Sequence, residues 1–301
     1  MLKVYITPGD PFGVGPEIIL KALSKLKKLK FSIVIGSDYY FFEKKAKEFG
    51  VDFSNQQILF ENIYGIKGKE KNFASLEGAR FSIESLDWAI EKLREKKEGV
   101  IITGPVSKEA IRKILPNFIG QTEYICEKIG VETKKVLMSF YFRGKFIGLF
   151  TQHIPLREVF NYINKELYLE RLSIFKKEIK KIIKKSPKIA LLALNPHGEE
   201  FGEEERNLKK YIKFSKNLKG FFPADSFFGY SLYKNFDGIF AFYHDQATIP
   251  AKTLGPSIQV TLGLPLLRLS PDHGPAYNMK GNANFQSMLE CFKFVKKYLL
   301  F

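Results

Sequence analysis

Four histidines occur in the chain, His153, His197, His244 and His273, in the phrases TQHIPL, NPHGEE, YHDQ and PDHGPA. Each follows an apolar run that reads as a strand, and each stands within two residues of Pro, Gly or Asp. In open α/β sheets, ligands bind outside the carboxyl ends of strands, so this is where reactive histidines belong. A lone histidine is more often structural, but four at strand ends are harder to assign that way. Three neutral imidazoles suit a borderline divalent ion such as zinc, with positions open for substrate oxygens. The wide separation of 153, 197 and 244 excludes a local finger and requires a site assembled by the fold.

A second feature is TPGDPFGVGPE, a glycine-rich stretch between a predicted strand and a predicted helix, as in phosphate-binding turns. Its glycines, at 9, 13 and 15, match neither G-x-G-x-x-G nor a Walker A loop. The alternative is a tight strand-to-helix turn near the site.

Such residues need a frame. LKVYIT reads as a strand, with a helix starting near Pro16, a good first-turn residue. FSIVIG is a second strand, followed by a helix around 38–49. Leu76, Ala79, Ile83, Leu86, Ile90 and Leu93 mark a long helix from about Phe73 to Lys97, and GVIITG is the next strand. Strand then helix, repeated, predicts an α/β fold with a largely parallel sheet and helices on both faces. KVLMSFYF and KFIGLFTQ flank Arg143-Gly144 as a hairpin. An amphipathic helix follows, and then the strands KIALLAL, FDGIFAFY, IQVTLG and LPLLRLS. A helix over 283–300 closes the chain. No repeat or flexible tether interrupts it.

At 301 residues the chain has room for two domains or one large one. Its 45% hydrophobic and 27% charged content is that of an ordinary folded protein. No apolar run approaches the roughly 18–20 residues of a membrane span. The first residues lack a signal peptide's long apolar stretch, and two cysteines cannot make a disulfide framework. A cytoplasmic location is therefore expected. Lys and Arg outnumber Asp and Glu by 48 to 32, a net +16, which favours anionic partners. The lysines are scattered along helical segments. One such helix carries Lys176, Lys177, Lys180 and Lys181 around an apolar face of Leu167, Leu172, Phe175 and Ile179. That is a solvated surface, and no aromatic RNA-binding phrase accompanies it, so neither a nucleic-acid nor a membrane partner is expected.

The phrases TPGDPFGVGPEI, TGPVSK, GQTEY, TQHIPLREV, LNPHGEEFGEEE, FPADSFF, YHDQATIPAK, VTLGLPLLRLSPDHGPA and GNANFQSML occur in a fixed order. The chain resembles the 4-hydroxythreonine-4-phosphate dehydrogenase family of vitamin B6 biosynthesis over essentially its whole length. The resemblance implies two α/β/α domains like those of the isocitrate and isopropylmalate dehydrogenases, with the active-site cleft between them and no Rossmann fingerprint. The expected boundaries are 1–118 with 255–301 for a cofactor-side domain, and 119–254 for a dimerising, metal- and substrate-binding domain. It also implies a homodimer with the active site at the subunit interface.

By the same resemblance His153, His197 and His244 hold one divalent metal, zinc, magnesium or cobalt. Thr122, Lys252 and Arg268 contact a small phosphorylated hydroxy-acid substrate. Two further substrate positions depart from the family pattern: Gln121 stands where a histidine is usual and Gln259 where an asparagine is usual. Glutamine keeps the hydrogen bonds but cannot carry a proton. The departures raise the alternative of a sibling enzyme for 4-phospho-threonate or 4-phospho-erythronate. DHGPAYNMKGNANF is similar to the adenosine-binding loop of the isopropylmalate dehydrogenases. That similarity puts the adenine side of NAD, or NADP, near His273, Gly274, Ala276 and Asn284. No arginine pair in that segment flags a 2′-phosphate, which favours NAD.

The implied reaction is oxidation of 4-phosphohydroxy-L-threonine by NAD to a β-keto acid. Loss of CO₂ then gives 3-amino-2-oxopropyl phosphate. A metal on the hydroxyl oxygen acts as Lewis acid, and NAD takes the hydride. Lys252, Arg268 and Lys108 are cations for phosphate and carboxylate groups. Asp225 and Asp245 are placed either to orient metal ligands or to relay a proton.

Overall fold

Short apolar runs punctuated by Gly, Pro and Asp become strands buried on both faces, as parallel α/β sheets require. The computed structural model describes residues 1–26, 29–53, 58–63, 66, 71–96 and 99–300. They form two units, Met1–Thr133 with Leu264–Phe301, and Lys134–Gly263.

The first unit opens with β1 (Lys3–Thr7), α1 (Gly15–Ser24), β2 (Ser32–Gly36) and α2 (Tyr39–Glu48). β3 (Ile58–Glu61), α3 (Leu76–Lys96) and β4 (Val100–Thr103) follow, then α4 (Lys108–Arg112) and α5 (Gln121–Ile129). Asp38 caps α2 by accepting the N–H of Phe41 at 2.9 Å. Lys97, expected at the end of the long helix, lies outside the described residues.

The second unit begins with β5 (Leu137–Phe142) and β6 (Lys145–Leu149), an antiparallel hairpin. Its turn residues, Arg143 and Gly144, have φ of 45° and 84°. Positive φ at both central positions matches the right-handed strand twist. α6 (Leu156–Tyr162), α7 (Lys165–Ile183), β7 (Ile189–Leu192), α8 (Glu203–Lys209) and β8 (Leu218–Phe222) come next. α9 (Ala224–Gly229), β9 (Gly238–Ala241), α10 (His244–Thr253) and β10 (Ser257–Leu262) complete this unit. The chain returns to the first unit with β11 (Leu267–Pro271) and α11 (Gln286–Tyr298).

In the first unit the order is β3-β2-β1-β4-β11, every pair parallel. In the second it is β10-β5-β6-β9-β7-β8, antiparallel across β10-β5-β6 and parallel from β6 onward. The amphipathic helix α7 buries Tyr168, Leu172, Phe175 and Ile179, so Tyr168 takes the core place that spacing assigned to Leu167. β3 and β8 escape the apolar pattern: β3 is only partly buried, and Gly220 interrupts β8.

The units divide at 133/134 and 263/264, against expected boundaries at 118/119 and 254/255. The physical reason is local. α5 is held in the first unit by Tyr124, whose hydroxyl donates to Asp87 at 2.8 Å, while β10 pairs along its whole length with β5. Cys126 and Cys291 are buried and unbridged. No helix among the described residues is long and apolar enough to cross a membrane.

Candidate active site

In the first unit, the ends of β4 and β11 meet the start of α5. Arg268 lies on β11 and is 3% exposed. Its Nη2 and Nε donate to Thr103 Oγ1 at 2.8 and 3.2 Å, and its Nη1 donates to Thr122 Oγ1 at 3.0 Å. Burial pulls the guanidinium down to about 10, with the Glu123 carboxylate acting the other way, so it stays a cation at neutral pH. Gln121 spends its Nε2 donor on the carbonyl of Gly104 at 3.1 Å. A methyl on the neighbouring Gly120 would stand 3.5 Å from the Lys108 ammonium and 2.8 Å from a Glu123 oxygen. Lys108 therefore sits beside the Gln121–Thr122 turn. The structure brings Arg268, Thr122, Gln121 and Lys108 into one neighbourhood.

β11 leads directly into the 273–284 segment. His273 Nδ1 lies 2.7 Å from the Gly274 carbonyl, which makes that nitrogen the donor and leaves Nε2 as acceptor. Gly274 borders open space, Ala276 adopts φ 39°, and Asn284 Oδ1 accepts the N–H of Gln286 at 2.9 Å to start α11.

The glycine-rich stretch resolves as a packing device. A methyl on Gly13 would lie 2.7 Å from the Pro275 carbonyl, while Val14 N–H donates to that same oxygen at 2.9 Å. Gly9 and Gly15 likewise leave no room for a Cβ against the backbone of Pro105 and Pro8. These glycines allow main chain to touch main chain.

The histidines of the second unit follow adjacent strands. β6 and β9 pair in parallel with Leu149 opposite Ala241, so His153 and His244 emerge side by side with ring centres 5.5 Å apart. His244 Nδ1 bonds Asp245 Oδ1 at 2.8 Å, which orients the ring and leaves Nε2 for a ligand. Two imidazoles on one zinc, at N–Zn of ~2.0–2.1 Å, would have ring centres roughly 5 Å apart. The separation of the two rings is in the range for imidazoles that share one ion.

His197 follows β7, on the far side of β9, with a left-handed φ of 56°. Its ring packs on Phe201 at 5.4 Å and its Nδ1 lies 3.8 Å from Glu200. No group of three metal-ligating side chains forms among the described residues of the single chain. Asp225 is exposed on α9, accepting from Ser226 Oγ at 3.3 Å. Lys252 lies two turns along α10 from His244, and roughly 12 Å by helical rise. Gln259 is half-buried on β10, opposite Phe140 of β5.

Two residues that spacing did not single out hold the histidine-bearing turns. Glu205, fully buried, accepts from the N–H groups of Leu194 and Asn195 at 2.7 and 2.8 Å, and from Asn195 Nδ2 at 2.9 Å. Gln246 accepts the N–H of Phe242 at 2.8 Å and donates to the Ala193 carbonyl at 2.5 Å. The end of β9 is thereby fastened to the end of β7. The only sequence signal is negative: a glutamate in HGEEFGEEE and a glutamine two residues after a histidine look like ordinary surface.

The sequence profile of the family described as "Pyridoxal phosphate biosynthetic protein PdxA" matches residues 11–295. The chain belongs to the PdxA family. A 4-hydroxythreonine-4-phosphate dehydrogenase of Sulfurihydrogenibium sp. is 35% identical over 93% of this chain and 92% of its own length. A Clostridium botulinum protein named, provisionally, D-threonate 4-phosphate dehydrogenase is 30% identical over 98% of this chain and 96% of its own. A Klebsiella pneumoniae crystal structure of 4-hydroxythreonine-4-phosphate dehydrogenase shares the fold, with a TM-score of 0.79 and 24% identity over 98% of this chain and 99% of that one. This PdxA-family member is thus an α/β dehydrogenase, and the PdxA family accounts for the ordered motifs along the chain.

Proposed function

We propose that this protein oxidises 4-phosphohydroxy-L-threonine with NAD, in a divalent-metal-dependent reaction that ends in decarboxylation to 3-amino-2-oxopropyl phosphate. The observation that carries the reading is the buried Arg268 hydrogen-bonded to Thr122. A desolvated guanidinium presenting donors beside a hydroxyl binds anions strongly and directionally.

Arg268, Thr122 and Lys252 take the anionic ends of the substrate, and Lys108 adds charge where Gln121 offers only a dipole. Gln259 contributes a neutral hydrogen bond. His153 and His244, with His197 from a second copy of the chain, would hold the metal. The metal supplies Lewis-acid polarisation of the hydroxyl oxygen, and a nicotinamide dinucleotide near His273, Gly274, Ala276 and Asn284 supplies the hydride acceptor. Asp245 keeps His244 in the tautomer whose Nε2 faces outward, and Asp225 stands as the alternative proton carrier. A homodimer would supply the third imidazole.

The Clostridium botulinum relative and the committed Gln121 amide favour one second reading, oxidation of a 4-phosphorylated sugar acid such as D-threonate 4-phosphate. Measuring NADH formation with each phosphorylated substrate, with and without chelator, decides. Turnover of 4-phosphohydroxy-L-threonine that stops with chelator is expected. Faster turnover of the sugar acid selects the second reading, and no turnover of either removes both.

A further inference from the structure

The 275–283 segment has little regular structure beyond one short turn, Tyr277–Met279, and nearly all its side chains are partly or fully exposed. Apolar packing therefore does little to set its path. Buried carboxylates do it instead. Glu17, in the first turn of α1, is 0% exposed. Its Oε2 accepts the N–H of Gly281 at 2.8 Å and its Oε1 accepts the N–H of Ala283 at 3.1 Å. Lys21, one turn on, donates to Glu17 at 2.6 Å and to the Gly281 carbonyl at 2.8 Å. Asp10, also 0% exposed, accepts the hydroxyl of Tyr277 at 2.7 Å and the N–H of Phe12 at 3.0 Å. With the Val14–Pro275 bond, the segment is fastened at 275, 277, 281 and 283 to residues 10–21.

We propose that Glu17, seconded by Asp10, is a positioning residue of the dinucleotide site: it holds 275–283 in one conformation before the cofactor arrives. The proposal rests on the reading above that places the adenosine side of the cofactor along 273–284. A carboxylate suits the task because it is purely an acceptor and serves two N–H groups and an ammonium at once. A loop ordered during folding has less freedom left to lose on binding, and that difference appears as cofactor affinity. The glycine-rich stretch that resembles a phosphate loop thus acts from behind, as the template of the cofactor loop.

The test is an NADH fluorescence titration of the full-length protein at a temperature well below melting, with hydrogen exchange of the 281–283 amides. The variants are Glu17→Gln and Tyr277→Phe, with His273→Ala and Asn284→Ala as direct-contact controls. Glu17→Gln turns one amide donor toward an N–H group. It is expected to weaken NADH binding about tenfold or more, the size of one lost charge-assisted bond, and to speed exchange at Gly281 and Ala283. Tyr277→Phe, which deletes one hydroxyl, is expected to weaken NADH binding severalfold. Should Glu17→Gln fail to fold, Tyr277→Phe decides alone. Affinity for the phosphorylated substrate should not change in either variant. A lowered melting temperature with unchanged NADH affinity means a merely structural role and overturns the proposal. If the two control variants bind NADH like wild type, the cofactor placement falls and the proposal with it. If the controls weaken binding while Glu17→Gln and Tyr277→Phe do not, only the positioning role is lost.

Discussion

Arg268 Nη1 lies 3.0 Å from Thr122 Oγ1, so a buried guanidinium joins β11 to the first turn of α5. On the function proposed above, cation and hydroxyl would meet the substrate as one unit. Arg268→Ala should raise KM for the phosphorylated substrate by roughly 30- to 150-fold, or 2–3 kcal/mol for a lost charge-assisted pair. Arg268→Lys keeps the charge but loses the fork, and should recover only part of the affinity. Steady-state kinetics on both variants checks this; unchanged constants would take Arg268 out of the site.

On the proposed function, Gln121 and Lys108 would divide the work a histidine could do alone. Gln121→His should give little gain in kcat/KM anywhere between about pH 5.5 and 8, since Lys108 already supplies a cation there. Lys108→Ala in the same background should restore a pH-dependent advantage, present below about 6.5 where the imidazole is charged. A large gain in the single variant that fades as pH rises would show that Lys108 does not serve this role.

The histidine triad makes a prediction about mixed dimers. His197→Ala and His244→Ala should each lose activity and metal binding, the latter read by titration calorimetry. Co-assembled, one protomer lacking His197 and its partner lacking His244 restore one intact site if the third imidazole comes across the interface. About half of wild-type activity per complete mixed dimer is then expected from two sites of which one is whole. Mixed dimers without activity would argue for a triad within one chain.

Burial raises the carboxyl of Asp10 above its ordinary value, partly offset by the Tyr277 hydrogen bond. The sign follows from linkage: a raised folded-state pKa favours folding while the group is protonated. That contribution is complete below the unfolded value, near 3.9, and disappears as pH rises through the folded value. The melting temperature of Asp10→Asn relative to wild type should therefore climb as pH rises from about 3.5, the ordinary carboxylate range. A difference independent of pH would contradict a carboxyl raised by burial.

Much of this fold is legible in the residues alone. Apolar runs ending at Gly, Pro or His mark β1, β2, β4 and the strands that carry the histidines, because a strand covered on both faces needs nothing else. Arg143-Gly144 announces its hairpin by the twist such a turn must satisfy. The ordered phrases from TPGD to GNANF carry the family.

Other relationships belong to the tertiary structure. His153 and His244 approach only because β6 and β9 lie side by side, and pairing between strands distant in sequence leaves no local trace. Glu17, at the start of an apolar helix, and Glu205, within a charged phrase, carry no local mark of burial, yet both are fully buried. What makes them acceptors is the N–H groups that folding brings opposite them from other loops. The glycines at 9 and 13 are equally silent in sequence: their spacing resembles a ligand loop, and only the approach of the Pro105 and Pro275 backbones shows that a side chain there would block another main chain. Residue type and order determined the strands and the chemistry available to this protein. The pairing of distant backbone decided which of those groups meet, because a hydrogen bond or a shared ion depends on positions that no stretch of the chain fixes for itself.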